Sequence, residues 1–158
     1  MLSIGQILAF AAAALSTLIA GYGSAKAVGL AGQTSAGVST ENPEVNSKLM
    51  VLQILPGTQG IYGFLIAVII LVNTGALSGN LKDVDLWQGV MLLVAILPVI
   101  VVGYLSAIHQ AKVASAGMLM VGQHPDMSGK AITMTVMVET YAVLALLASF
   151  LMVNAVKL

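Results

Sequence analysis

The stretch from Ala131 to Asn154, AITMTVMVETYAVLALLASFLMVN, carries one carboxylate, Glu139, and no basic residue. At ~1.5 Å per residue, a helix of this length crosses the ~30 Å hydrocarbon core of a bilayer. Three further apolar segments stand out: about Ile4 to Val28, about Lys48 to Val72, and from about Leu86 past Ile108, continuing less apolar to about Val121. Within hydrocarbon, backbone amides must be satisfied inside each segment, so four such runs predict an all-α membrane protein with four transmembrane helices. Composition agrees: 59% of the 158 residues are hydrophobic and 8% are charged, against about 25% charged in a soluble domain. Six lysines and no arginine give no basic patch for nucleic acid. Cysteine is absent, which excludes disulfides and thiolate metal sites. The first run lacks a basic segment before it and continues too far for a signal peptide, so it reads as a permanent helix.

Small residues dominate the first run: four consecutive alanines at 11–14, then Gly21, Gly23, Ala25, Ala27 and Gly29. They let helix backbones approach closely in a membrane, so this helix reads as an inner one. A polar turn is expected at Ser39 to Ser47, with Pro43 restarting the helix. Pro56 and Gly57, in LPGTQG at 55–60, should break the second helix's hydrogen-bond ladder. A loop is expected over 73–85, an interfacial aromatic at Trp87, a bend at Pro98 and a turn at 122–128. Lys26, Lys48, Lys112 and Lys130 flank the first and third connections, while Asp83 and Asp85 offset Lys82 in the middle one. The positive-inside rule then puts the connections near 43 and 125 in the cytoplasm and both termini outside.

The two halves match at a constant offset of 82 residues. Gly21, Tyr22, Ser24 and Ala25 meet Gly103, Tyr104, Ser106 and Ala107; Pro43 meets Pro125; Lys48 meets Lys130. The pattern predicts two tandem helical hairpins, 1–79 and 80–158, forming one membrane domain. Each hairpin crosses the membrane twice, so the repeats point the same way, unlike inverted repeats. At this offset Glu139 meets Gly57, which leaves one carboxylate per four helices.

A carboxylate at membrane depth must be paired, protonated or bound to an ion. Leu55, Thr58, Gln59 and Tyr62 share one helix face by their spacing. Gln110 lies 15 residues before Pro125, Glu139 lies 14 after it, and Thr58 lies 15 after Pro43. Three polar groups from three helices are therefore level. One carboxylate with neutral oxygens suits a hard monovalent cation, whereas zinc or calcium would want more charge or imidazole. The bland alternative is an interhelical hydrogen-bond cluster; Tyr62 reads either as an ordinary interface aromatic or as a donor orienting the Glu139 carboxylate. His109 is not expected to be a ligand, His124 reads as turn surface, and Tyr141 faces away from Glu139.

With these residues in view, the sequence resembles the membrane-ring proteolipid subunit of bacterial V-type rotary ATPases, especially the sodium-transporting kind. The resemblance rests on GYGSAKAVG at 21–29, LPGTQGIYGF at 55–64, HQAKVASAG at 109–117 and VETYA at 138–142, in order along essentially the whole chain. It implies a homo-oligomeric ring with the first and third helices inside and the second and fourth outside. It implies Na+ held by the Leu55 carbonyl, the Thr58 hydroxyl, the Gln59 and Gln110 side chains and the Glu139 carboxylate, with Tyr62 donating to that carboxylate. It also implies a stator membrane subunit with an essential arginine, central-stalk subunits, and ATP hydrolysis on other chains. No GxxxxGK[ST] phosphate loop is present, so the chain is expected not to be an enzyme by itself. A proton-carrying rotor, a small secondary cation/proton transporter and a purely structural ring are the rival readings.

Overall fold

Four long helical rods run Ile4–Glu41, Pro43–Asn73, Leu86–Gln123 and Pro125–Ala155, each long and apolar enough to cross a membrane. The computed structural model describes residues 2–158, and no strand occurs among them. The first helix packs along both the second and the third, and the third packs along the fourth. A shorter seam joins the second to the fourth. The first and third helices meet through small residues: Ala27, Ala107 and Ala111 form one buried cluster between them.

The repeat extends to details of backbone geometry. Ser3 caps the first helix and Asp85 the third, each in a reciprocal capping box with a glutamine, Gln6 and Gln88. Such a box satisfies two otherwise orphaned amides at a helix start. At the far ends, Asn42 (φ −136°, ψ 84°) and His124 (φ −133°, ψ 85°) stop the helices with nearly the same conformation. Their amides bond the Val38 and Met120 carbonyls at 2.9 and 2.8 Å. Proline follows each cap and opens a 3-10 turn, Pro43–Val45 and Pro125–Met127. All these pairs are 82 residues apart. One hairpin turn is thus built twice.

Several boundaries differ from those expected. The first helix does not stop near Val28 but continues without a break to Glu41. Its extension is rich in Gly and Ala, which gave no apolar signal, yet Ala31, Ser35 and Val38 are buried against the third and second helices. The polar turns are correspondingly shorter than 39–47 and 122–128, because residues 39–41 and 122–123 are helical and Asn46 and Ser128 begin the next helices. The third rod is interrupted at Ile96, just before Pro98, and the Ser149 hydroxyl takes up the Val99 amide at 3.1 Å. Gly75 turns the loop between hairpins at φ +76°, where a Cβ would strike the Asn80 carbonyl. At Gly63 the second helix lies so close to the first that a Cβ would meet the Ser16 carbonyl. Ser16 donates to the Gly63 carbonyl at 2.7 Å in that same seam.

Candidate functional site

The second rod changes character where Pro56 stands. Leu55–Gly57 forms one 3-10 turn between two α-helical stretches, Asn46–Ile54 and Thr58–Asn73. Proline removes an amide donor and clashes with the preceding turn, which is why the ladder changes register there. The Leu55 carbonyl accepts from the Thr58 amide and, at 3.1 Å, from the Thr58 hydroxyl. A hydroxyl that gives its proton to a carbonyl keeps its own lone pairs for another partner.

One turn further on, Gln59 and Tyr62 reach across to the second hairpin. Gln59 is fully buried and donates through Nε2 to Gln110 Oε1 at 2.6 Å and to Ser106 Oγ at 3.4 Å. Gln110, also fully buried, donates through Nε2 to the Thr135 carbonyl at 3.2 Å and to Glu139 Oε2 at 3.4 Å. Tyr62 donates its phenolic hydrogen to the other oxygen, Oε1, at 2.5 Å. Glu139 itself is partly buried. Both carboxylate oxygens thus face neutral donors, with no lysine or histidine among them.

One atom stands out in this network. Gln59 Oε1 is buried and has no hydrogen-bond donor. Leaving such an acceptor unpaired costs about 1–3 kcal/mol. It sits on the side chain that bridges the second helix to Gln110, one residue from the Thr58 hydroxyl and one bond from the network holding Glu139. The residues therefore supply lone pairs in excess of protons around a single negative charge, which fits a cation better than a closed hydrogen-bond cluster. Among the described residues, no three His, Asp or Glu side chains gather as they would around a charge-rich metal centre.

Tyr62, Gln59, Gln110 and Glu139 are brought together in one network, with Leu55 and Thr58 bonded to each other at its edge. His109 and His124 are exposed, and Tyr141 points outward at 65% exposure. Two contributors escaped the sequence reading. Ser106 links Gln59 to the fourth helix by donating to the Val138 carbonyl at 3.1 Å. The Thr135 carbonyl anchors Gln110. Ser106 was findable: it lies one turn before Gln110 on the same face, and its repeat partner Ser24 accepts the Gly60 amide at 2.8 Å.

Two same-direction hairpins closed around one membrane carboxylate and its neutral oxygens define a class of ion-carrying membrane proteolipid. The chain belongs to the ATP synthase C-subunit family, whose model matches it twice, over residues 11–70 and 93–152, again 82 residues apart. It is 42% identical over 149 residues to the V-type sodium ATPase subunit K of Enterococcus hirae, covering 94% of this chain and 92% of that protein. It is 38% identical over 150 residues to the A-type ATP synthase subunit K of Methanocaldococcus jannaschii, covering 95% of this chain and 63% of that longer protein.

Proposed function

We propose that this chain is the ion-carrying subunit of the rotor ring of a V-type rotary ATPase, and that each copy carries one Na+ at Glu139. The observation that carries the ion assignment is the buried, donorless Gln59 Oε1, on a side chain linked through Gln110 to the lone membrane carboxylate. The Leu55 carbonyl, Thr58 hydroxyl, Gln59 and Gln110 side chains and Glu139 carboxylate are the ligands in this reading, and Tyr62 holds the carboxylate in place. The identity to a protein named as a sodium ATPase subunit supports the same ion.

The mechanism follows from charge. With Na+ bound, the site is neutral as a whole and can pass lipid. An emptied Glu139 is costly against hydrocarbon, so release and loading take place only where a partner subunit offers water and a compensating arginine. Tyr62 and Gln110 then fix the carboxylate during the change. ATP chemistry belongs to soluble subunits reached through a central stalk. The two hairpins, 1–79 and 80–158, act as one membrane domain. The connections near 43 and 125 face the cytoplasm and both termini face outside.

A sodium-binding isotherm on the purified ring, taken at several pH values for the parent and for Thr58→Ala, tests the assignment. Saturable binding that weakens in the variant is expected. No saturable sodium binding at neutral or alkaline pH would transfer the site to protons.

A further inference from the structure

The donorless oxygen of Gln59 has a cause that can be traced one bond at a time. The fourth helix offers three acceptors with no hydrogen to give: the Thr135 and Val138 carbonyls and the ionised Glu139 carboxylate. Each carbonyl keeps a lone pair beyond its own helical bond. Both hydrogens of the Gln110 amide go to this helix, one to the Thr135 carbonyl at 3.2 Å and one to Glu139 Oε2 at 3.4 Å. The Ser106 hydroxyl hydrogen goes there too, to the Val138 carbonyl at 3.1 Å. Gln110 Oε1 and Ser106 Oγ are left as acceptors, and the Gln59 amide meets them with Nε2 at 2.6 and 3.4 Å. The reverse orientation would set Oε1 against two oxygens with no hydrogen to offer. Oε1 is thus turned away from every donor.

Ser106 is buried and is not among the ion's ligands, yet it bonds both Gln59 and the main chain next to Glu139. One bond from Nε2 to Gln110 fixes a distance and leaves the amide free to turn about it. The second bond, to Ser106, fixes the amide plane and with it the direction of Oε1. The repeat counterpart of this serine works differently. Ser24, 82 residues earlier, accepts from the Gly60 amide at 2.8 Å, just past the 3-10 turn Leu55–Gly57. Pro56 stands at the repeat position of Val138. Where the helix is broken, the serine takes up a main-chain amide. The fourth helix is unbroken from Ser128 to Ala155, and there the serine gives its hydrogen to a carbonyl and keeps its lone pairs for Gln59. Gln59 is thereby held twice: its main chain by the first helix, through Ser24 at Gly60, and its amide by the third, through Ser106.

We propose that Ser106 is a positioning residue of the ion site: with its hydrogen committed to the Val138 carbonyl, it holds the Gln59 amide in the plane and polarity that present Oε1 to the cation. Ser106 does not touch the ion and acts on binding only through Gln59. This rests on the sodium reading above. It also separates two jobs that one hydroxyl could do. A tether between the third and fourth helices would need only the bond to Val138 and would be indifferent to what stands at position 59. A positioning residue loses its effect on sodium once the amide it holds is gone.

A double-mutant cycle on the purified ring tests this, with sodium isotherms for the parent, Ser106→Ala, Gln59→Leu and the double variant. Ser106→Ala alone should weaken sodium binding by about 2- to 12-fold, the worth of one hydrogen bond. Added to Gln59→Leu, it should change sodium affinity by no more than about 2-fold, the usual scatter of independent sites. Equal losses in both backgrounds would overturn the proposal and make Ser106 a tether between helices. Unchanged affinity in Ser106→Ala would overturn it too. Ser106→Cys keeps the volume but bonds weakly, and should bind sodium as Ser106→Ala does. Ser106→Thr keeps the hydroxyl and should bind sodium as the parent does. Parent-like affinity in Ser106→Cys would show that filling counts and hydrogen bonding does not, against the proposal. Ser24→Ala is the control: its loss of heat resistance should be the same in the parent and in Gln59→Leu, since both keep the Gly60 amide. No saturable sodium binding by the parent would overturn the sodium reading, and the positioning role with it.

Discussion

Replacing Gln59 by leucine removes the one buried side-chain oxygen left without a hydrogen-bond partner among the described residues, while keeping much of the side chain's volume. If Oε1 is a sodium ligand, the occupied site loses an oxygen that nothing else replaces. That loss is worth about 1–3 kcal/mol, or roughly 5- to 150-fold in sodium affinity. The Nε2 bonds to Gln110 and Ser106 are lost with and without the ion, so they weigh on stability more than on binding. The assay is the heat stability of the purified ring with and without sodium. At a concentration of 100 times the parent dissociation constant, sodium stabilises the parent by about 2.7 kcal/mol per site. A 20-fold weaker variant at that concentration gains only about 1 kcal/mol. The reasoning fails if Gln59→Leu lowers stability without sodium yet keeps the full increment with it. In that case Oε1 lies outside the cage, and its unpaired state is a packing cost alone.

Glu139→Gln should insert and assemble but bind no sodium and support no ion flux, which radioactive-sodium uptake in proteoliposomes would read. Carbodiimide labelling should centre on Glu139 and fall as sodium rises, since bound sodium displaces the proton that the reagent needs; labelling indifferent to sodium would contradict the cage. Sodium affinity should weaken as pH falls, because a proton and Na+ compete for one negative charge, and isotherms across pH would show it. Gln110→Leu should impair sodium binding more than proton binding, as judged by comparing the isotherm with the pH dependence of labelling. Gly63→Ala should force the first and second helices apart and destabilise the protein by about 1–3 kcal/mol, measurable as a lower temperature of ring dissociation.

The four spans and their duplication were legible because hydrocarbon imposes length and because the two turns kept Pro43 and Pro125 in register. The true length of the first helix was not. Past Val28 its residues are small and weakly polar, and only burial of Ala31, Ser35 and Val38 by neighbouring helices shows why the helix continues. At the site, counting residues from the turns brought Thr58, Gln110 and Glu139 level, which names side chains but not their partners. Counting was silent on the Thr135 and Val138 carbonyls, because every residue has one and only tertiary packing selects which is used. The donorless oxygen of Gln59 was equally out of reach, since it follows from where its neighbours' protons point.

The glycine at 57, which stands at the repeat position of the glutamate at 139, has an electrostatic consequence. If every hairpin of the proposed ring bore a carboxylate, neighbouring charges would stand about one helix spacing apart, ~10 Å. Two bare carboxylates at that distance repel by about 1.7 kcal/mol at an effective dielectric of 20. With every second hairpin uncharged, the spacing doubles to ~20 Å and the repulsion halves to about 0.8 kcal/mol. In the proposed ring, two emptied neighbouring sites would then disturb each other little, and each would load and unload nearly independently of the one beside it.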